Sequence, residues 1–413
     1  MNENNTAPVE NMGGDLGVLQ VNAFLGGVAR PAENALVRVS DPDTGRVLEE
    51  VRTDAAGRAP ALTLPAPPLA NSMTAGGQRP FNQYDVTLAF PDYQDALVEN
   101  VQLYPRCTAV QNVTLAPRFP EIVIPYPVLW GDYPPKIPEA EVKKLPFPGN
   151  LAVLPEPAVP GLVVVHAGVP DDASAPNYTV SFPDYVKNVA SSEIYATWPA
   201  ETLRANILAI VSFTLNRVYT EWYRGKGYDF TVTNSTAYDQ SFTYGRTIYR
   251  EISDVVDEVF STYISKADIL QPLFTQYCDG REVQRDGWLS QWGSKDLGDQ
   301  GYSALQILKN YYGYEIVLKQ AKKVEGIPLS FPGAVLRLGS AGSAVETIQR
   351  QLNGVAKNYP LIPRTAEDGV YGEKTAEAVR VFQQTFGLPV TGEGNFPTWY
   401  RISDVYVAVS KLA

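Results

Sequence analysis

The chain has 413 residues, of which 45% are hydrophobic and 19% charged, and its formal net charge is −11. A chain of this length and composition can bury several hydrophobic cores, so we expect two to four domains and a multidomain α+β fold. The acidic balance argues against nucleic acid as a partner, because phosphates require basic surfaces. The sequence contains no apolar run of roughly 18 residues, so no membrane-spanning helix is expected.

The N-terminus is polar, and residues 1–16 are predicted to form a disordered tail without a classical signal peptide. The two cysteines, Cys107 and Cys278, have neither a disulfide framework nor a metal-ligand spacing, and we interpret them as buried thiols. The single histidine, His166, follows a predicted strand and is interpreted as a hydrogen-bonded structural residue.

Residues 17–117 are predicted to form a β-sandwich. Short runs alternate between apolar and polar residues and are separated by turn sequences at positions 41–45 and 54–57. The runs that indicate strands are 18–21, 36–39, 46–51, 84–90 and 109–115. The segment 53–57, followed by 64–67, resembles the transthyretin-like sandwich, a resemblance that carries no catalytic residue.

Residues 118–160 are predicted to be an extended connector. The stretch from Pro117 to Pro160 holds 12 of the chain's 33 prolines, a density that blocks helices and central strands. Two apolar patches, 122–124 and 128–130, are expected to dock on a neighbouring domain.

Residues 161–325 are predicted to form an α+β domain with a strand at 162–165. Helices are expected at 183–191, 199–223, 251–265 and 302–312, and the second of these carries apolar residues at three- and four-residue spacing. Glu193 lies at the turn between the first two helices, among apolar and aromatic residues. Burial disfavours the charged form of a carboxyl group, so a glutamate in this position is a candidate general acid.

Residues 331–413 are predicted to form a three-helix bundle. Ser343 and Glu346 have the spacing of a capping box, and helices are expected at 375–386 and from about Pro397. The segments 338–342, 368–372 and 387–392, with Trp399, resemble in order and spacing the peptidoglycan-binding domain of wall hydrolases. That resemblance implies wall binding, and Tyr371 and Trp399 are the candidate contacts.

The central domain resembles the stage II sporulation protein D family of peptidoglycan lytic transglycosylases. The resemblance lies in the segments 184–199, 203–205, 228–229, 290–293 and 307–312. It implies that Glu193 is the catalytic acid and base. It also implies a substrate-binding set, in which the aromatic residues either stack on sugar rings or pack: Tyr195, Trp198, Tyr238, Asp239, Gln240, Gln291 and Trp292. The cysteine and histidine that bind zinc in some members are absent from 231–235, so neither a metal nor a cofactor is expected.

The full domain order resembles clostridial spore-cortex-lytic enzymes. This resemblance implies a zymogen located in the spore cortex or coat region, with residues 1 to about 152 as the pre-pro region. A germination protease would activate it near Val153, and cortex peptidoglycan would be its substrate. Two alternatives stay open: a muramidase-type hydrolase that uses Glu193 with Asp239, since hydrolysis requires a second carboxylate, and a non-catalytic wall-binding protein.

Overall fold

The computed structural model describes residues 15–26, 29–116, 121–131, 134–137, 154 and 156–410. These residues form a mixed α+β architecture, as the sequence predicts, with a helical C-terminal region. Most of the predicted tail and the predicted processing position, Val153, lie outside the described residues. Asp15 and Leu16, which were assigned to the tail, instead begin the first strand.

The N-terminal region consists of two sheets with a common core. In β2 and β5 every second residue is buried, which is the alternation expected for strands with one face on a core. One sheet has the order β7–β1–β4 and the other β3–β2–β5–β6–β8. The elements are β1 (Asp15–Leu25), β2 (Leu36–Ser40), β3 (Val47–Arg52), β4 (Leu62–Ala66), α1 (Ala70–Met73), β5 (Asn82–Ala89), β6 (Ala96–Leu103), β7 (Thr108–Leu115) and β8 (Ile122–Val123).

The start of the proline-rich connector docks on this N-terminal region, as predicted from its apolar patches. Strand β8 pairs in parallel with β6, and Ile122 and Ile124 are buried in the common core. The ring of Trp130 lies edge-on to Phe81, with the ring centroids 5.7 Å apart. These contacts fix the connector as it leaves the N-terminal region.

The central region surrounds one buried helix, α3, which packs against α4, α5, α6 and β14. Its elements are β9 (Ala158–Val159), β10 (Leu162–His166), β11 (Asn177–Ser181), α2 (Phe182–Glu193), α3 (Ala200–Tyr219), β12 (Val232–Thr233), β13 (Ile248–Tyr249), α4 (Arg250–Val259), β14 (Thr262–Lys266), β15 (Tyr277–Cys278), β16 (Leu289–Ser290), α5 (Gln291–Asp299), α6 (Ala304–Tyr312), β17 (Ile316–Gln320) and β18 (Lys323–Val324).

Two predicted helix ends in this region are wrong. Helix α3 ends at Tyr219, because Glu221 has a left-handed backbone (φ 50°) that stops the helix before the glycines that were expected to end it. Helix α4 ends at Val259, and the β-branched and aromatic residues that follow form β14, which pairs with β17. A partner strand distant in sequence therefore decides the structure of residues 262–266.

The N-terminal and central regions are joined by a shared sheet and a shared core. Strand β13 of the central region pairs with the edge of β7, so that the N-terminal sheet becomes four-stranded. The ring of Tyr249 in β13 lies edge-on to Tyr104, with the centroids 5.1 Å apart. A single hydrophobic cluster contains the apolar residues of both regions.

The C-terminal region contains α7 (Ser343–Val355), α8 (Glu373–Phe386) and α9 (Phe396–Ser410) around a separate apolar core. The predicted capping box does not form, because Gly342 occupies the cap position and Ser343 is the first helical residue. Helix α8 begins two residues before Thr375, whose hydroxyl accepts a hydrogen bond from Gln349 at 3.1 Å. Gly387 ends α8 in the left-handed conformation (φ 72°), as the sequence predicts.

Candidate active site

Helix α2 positions Glu193 at its last turn. The helix begins after Ser181, whose hydroxyl accepts a hydrogen bond from the Asp184 amide at 3.2 Å, and Pro183 lies in the first turn. It ends at Glu193 because Ile194 is extended. The Glu193 side chain is completely buried, with 0% of its surface exposed.

The Glu193 carboxyl group contacts a loop that α2 itself holds in place. Its Oε1 accepts a hydrogen bond from the Ser241 amide at 2.6 Å. One turn earlier, the Asn188 side chain exchanges two hydrogen bonds with the Thr243 backbone, at 2.7 and 3.0 Å. Among the described residues, Oε2 has no hydrogen-bond partner. An ionised oxygen without a donor is costly to bury, so this environment favours the neutral carboxyl group.

The pKa of Glu193 is raised to about 7, chiefly because burial penalises the carboxylate. Hydrogen bonding by the Tyr277 hydroxyl and by the Ser241 amide, and the positive charge of Lys136, oppose this rise. None of the described groups that shift this pKa is a carboxylate. Near neutral pH the site can therefore hold a proton and release it, as acid–base catalysis requires.

Gln240 orients Tyr277. Its amide nitrogen donates to the Tyr277 hydroxyl at 3.0 Å, while its carbonyl oxygen accepts from Tyr185 at 3.0 Å and from Thr214 at 2.8 Å. The tyrosine that lies beside the Glu193 carboxyl group is thus fixed by a buried network. Gln240 is fully buried, and in this conformation it supports Tyr277.

Asp239 is a structural carboxylate in this arrangement. Its Oδ1 is paired with Arg217 Nε at 2.9 Å. Its Oδ2 accepts from the Tyr223 hydroxyl at 2.7 Å, and from the amide and hydroxyl of Thr233, both at 2.9 Å. These four contacts hold the buried carboxylate in place and satisfy its charge. The structure therefore does not support Asp239 as the second carboxylate of a hydrolase.

Tyr195, Trp198 and Trp292 pack on one another and not along an open groove. Their rings are 2%, 3% and 4% exposed, and the centroids of Trp198 and Trp292 are 5.0 Å apart. Tyr195 also contacts Tyr104 of the N-terminal region, at 5.6 Å. The packing alternative is therefore the observed one. Gln291 is also buried, and its Oε1 has no hydrogen-bond partner among the described residues.

The proline-rich connector lies over the loop 237–241, whose Ser241 amide donates to the Glu193 carboxyl group. The Ile137 amide donates to the Ala237 carbonyl at 2.6 Å, and Lys136 Nζ donates to the Tyr238 carbonyl at 2.7 Å. The Lys136 ammonium also lies 5.4 Å from the centre of the Phe213 ring. Tyr238 is half-buried, and its backbone, not its ring, makes the contact with Lys136.

Lys136 lines a small cavity beside this loop. The other residues that line it are Phe213, Thr236, Asp239, Gln276, Tyr277 and Trp288. Tyr277 links this cavity to the Glu193 carboxyl group, since its hydroxyl influences the pKa of Glu193. The half-buried ring of Trp288 is an aromatic surface at this position that the substrate-binding set does not include.

The sequence interpretation does not identify Tyr277, Ser241 or Lys136. Tyr277 lies in a two-residue strand with no periodic pattern, and Ser241 acts through its backbone amide, which any residue type would supply. Lys136 reaches the site from a connector that precedes the domain in the sequence. Only the tertiary structure brings these three residues to Glu193.

The two candidate wall contacts are core residues of the C-terminal bundle. Tyr371 and Trp399 are each 1% exposed. The Tyr371 hydroxyl donates to the Gly392 carbonyl at 3.0 Å, and the Trp399 indole donates to the Leu329 carbonyl at 3.0 Å. Both residues build the bundle, and in this conformation neither ring is exposed to a ligand.

The interpretations of the two cysteines and of His166 agree with the structure. Cys107 and Cys278 are buried free thiols, and burial raises the pKa of each. His166 is buried, with Nδ1 2.8 Å from Asn177 Oδ1 and Nε2 3.0 Å from the Val169 carbonyl. Within the described part of the chain, no helix is long and apolar enough to cross a membrane, and no three metal-ligating side chains cluster.

Two protein families match segments of the chain. Residues 174–264, which include Glu193, match the family described as stage II sporulation protein. Residues 341–402 match a peptidoglycan binding domain. The chain has the domain combination of a spore cortex-lytic enzyme. Its function therefore concerns the cell wall of the spore, and peptidoglycan is the polymer that its C-terminal domain binds.

Several solved structures are similar to parts of this chain. The SleB N-terminal domain is 31% identical; the match covers 19% of this chain and 99% of that one, with a TM-score of 0.17. The Bacillus anthracis TIE protein is 19% identical, covering 24% and 16% of the two chains with a TM-score of 0.18. Klebsiella pneumoniae 5-hydroxyisourate hydrolase is 15% identical, covering 24% and 84% with a TM-score of 0.16. No curated protein gives a significant match.

Proposed function

We propose that the protein is a lytic transglycosylase of spore cortex peptidoglycan, made as a zymogen and activated by proteolysis of its connector during germination. The observation that carries the proposal is Glu193, a buried carboxyl group with a pKa of about 7 and no second carboxylate among the described groups that influence it. An acid that is protonated near neutral pH and then acts as a base needs this environment.

The reaction uses one carboxyl group twice. Protonated Glu193 donates its proton to the oxygen that links N-acetylmuramic acid to N-acetylglucosamine, and the bond from that oxygen to muramic C1 breaks. The Glu193 carboxylate then takes the proton of the muramic C6 hydroxyl, whose oxygen bonds to C1. The products are a 1,6-anhydro-muramic end and a free N-acetylglucosamine 4-hydroxyl. Water is not consumed, and Glu193 ends protonated as it began.

Two structural observations support the zymogen part of the proposal. Glu193 has no exposed surface, so a glycan strand cannot reach it in this conformation. The connector residues Lys136 and Ile137 are hydrogen-bonded to the loop 237–238, and Lys136 and Tyr277 line the same cavity. Cutting the connector would remove the covalent restraint on one side of this segment, and withdrawal of Lys136 would also remove a charge that favours ionised Glu193.

The test is product analysis before and after connector cleavage. A recognition sequence for a site-specific protease, inserted at 144–150 in the full chain, allows the same preparation to be assayed uncut and cut on purified cortex. We expect 1,6-anhydro-muramic ends by mass spectrometry from the cut protein and at least ten times fewer from the uncut protein. Reducing muramic ends would indicate hydrolysis instead, and equal release from both forms would reject the zymogen.

A Glu193→Gln variant carrying the same insertion is the matched control. The amide keeps the size of the side chain and accepts the Ser241 hydrogen bond, but it cannot donate a proton to the glycosidic oxygen. Loss of product with retained binding to cortex is expected. Unchanged product release by this variant would contradict the role proposed for Glu193.

A further inference from the structure

The C-terminal domain contains an open groove between α7, the loop 356–367 and the end of α9. Its volume is about 540 Å³. All of its lining residues belong to this domain: Arg350, Asn353, Gly354, Lys357, Arg364, Thr365, Glu367, Tyr406, Val409 and Ser410. The two buried aromatic residues that the resemblance suggested as wall contacts are not among them.

The groove has an aromatic floor that depends on a glycine. A Cβ atom added at Gly354 in α7 would lie 2.6 Å from Cε2 of Tyr406, so the ring of Tyr406 rests directly on the helix backbone. The Tyr406 side chain is half-buried, which leaves part of it facing the groove. A partly exposed aromatic ring held in one orientation can present an apolar surface to a ligand at low entropic cost.

The wall of the groove is tied to the helix by one side chain. The Asn353 amide donates to the Thr365 carbonyl and to Glu367 Oε1, both at 2.9 Å, and its oxygen accepts from the Thr365 amide at 2.9 Å. These three hydrogen bonds hold the loop residues 365–367 against α7. The groove is therefore built by specific contacts within the folded domain.

The charge around the groove is positive. Arg350, Lys357 and Arg364 are exposed, and within the described residues none of them has an ion-pair partner, whereas Glu367 is hydrogen-bonded to Asn353. Among residues 331–413 the sequence has 8 basic and 7 acidic side chains. Three of the basic side chains thus line one groove in a domain that is nearly neutral. Guanidinium groups pair with carboxylates through two parallel hydrogen bonds.

We propose that this groove binds a peptidoglycan glycan strand, with a sugar ring on Tyr406 and a ligand carboxylate on Arg350 and Arg364. Such carboxylates come either from the stem peptide or from the lactyl group of muramic acid. The proposal rests on the peptidoglycan-directed function, which it refines by placing the binding surface. It assigns no catalytic role to the groove.

The experiment measures binding of full-length protein to insoluble peptidoglycan at low ionic strength. Arg350→Gln/Arg364→Gln is compared with Arg337→Gln/Lys374→Gln, which removes the same charge from exposed positions that do not line the groove. We expect a loss of affinity of about tenfold for the groove variant and less than twofold for the control. Equal losses would mean general charge attraction and would overturn the proposal.

Two further arms identify the ligand chemistry and separate this proposal from the catalytic one. Tyr406→Leu should weaken binding severalfold with thermal stability checked alongside, and Gly354→Ala, which displaces the ring, should weaken it as well. Strands stripped of stem peptides distinguish the two carboxylate sources. If Arg350→Gln/Arg364→Gln still binds these strands more weakly than wild type does, the carboxylate is that of the lactyl group. After connector cleavage, Glu193→Gln should abolish release of anhydro products and keep binding to insoluble peptidoglycan, whereas the groove variants should lose that binding.

Discussion

The indole nitrogen of Trp198 donates a hydrogen bond to the carbonyl oxygen of Ser72 at 3.0 Å. Trp198 follows helix α2, which carries Glu193, and Ser72 belongs to α1 of the N-terminal region. The Thr197 hydroxyl donates to the Ser72 hydroxyl at 2.9 Å, so two consecutive residues of the central region are bonded to one residue of the other. The N-terminal region is therefore packed directly against the segment that follows Glu193.

This packing predicts that the N-terminal region stays bound after the connector is cut. Strand pairing between β7 and β13 adds to it, as do the hydrogen bonds from Thr108 to Glu251 and between Gln111 and Thr247. The shared apolar core would have to be exposed to water if the fragments separated. We expect both fragments in one peak in size-exclusion chromatography without denaturant. Two separate peaks would show that removal of the whole pre-pro region accompanies activation.

The raised pKa of Glu193 predicts a pH-dependent penalty on stability. The folded protein binds this proton with a pKa of about 7, above the ordinary value of 4.5. Below pH 4.5 Glu193 is neutral in both states and the free energy of unfolding carries no penalty from it. As the pH rises from 4.5 through 7, the unfolded chain loses this proton more readily than the folded protein does, so the free energy of unfolding falls. Glutamine does not ionise and escapes this penalty. The unfolding free energy of Glu193→Gln minus that of wild type should therefore increase by roughly 3 kcal/mol between pH 4.5 and pH 7.

Urea denaturation at pH 4.5 and at pH 8 measures this difference. Glu346→Gln, at an exposed position of α7, is the control and should show no such gain. If the difference in unfolding free energy between wild type and Glu193→Gln does not change with pH, Glu193 ionises in the folded protein as it does in water.

Local sequence patterns predict much of this fold, and contacts across the chain decide the rest. The alternating runs identify β1, β2, β3, β5 and β7. Strand β4 alternates too but is only five residues long and contains Pro65, and β6 ends in three consecutive buried residues, which breaks its period of two. Glu193 is predictable because its neighbours in sequence are apolar and aromatic. The role of Asp239 is not, since its partners Arg217, Tyr223 and Thr233 come together only in the folded domain.

Asp239→Asn tests whether this residue is structural. The substitution leaves Arg217 buried beside a neutral side chain and replaces an acceptor of the Thr233 and Tyr223 hydrogen bonds with a group that is half donor. Breaking a buried pair in this way costs about 3–5 kcal/mol, so a marked fall in melting temperature is expected. Any product that the variant still makes should carry 1,6-anhydro ends. A stable variant that has lost only hydrolytic product would restore the muramidase alternative.

Lys136→Ala tests the closure of the active site by the connector. The change removes the hydrogen bond to the Tyr238 carbonyl and a side chain that lines the cavity beside Tyr277, while the Ile137 contact to Ala237 stays. It also removes a positive charge that lowers the pKa of Glu193, so the carboxyl group should be protonated at higher pH. We expect severalfold higher release of anhydro products from the uncut protein, with a pH profile shifted upward. Lys322→Ala, an exposed lysine outside this cavity, should leave the basal rate unchanged. If Lys136→Ala is as inactive as the uncut wild type while its cut form is fully active, the segment around Lys136 does not hold the site closed.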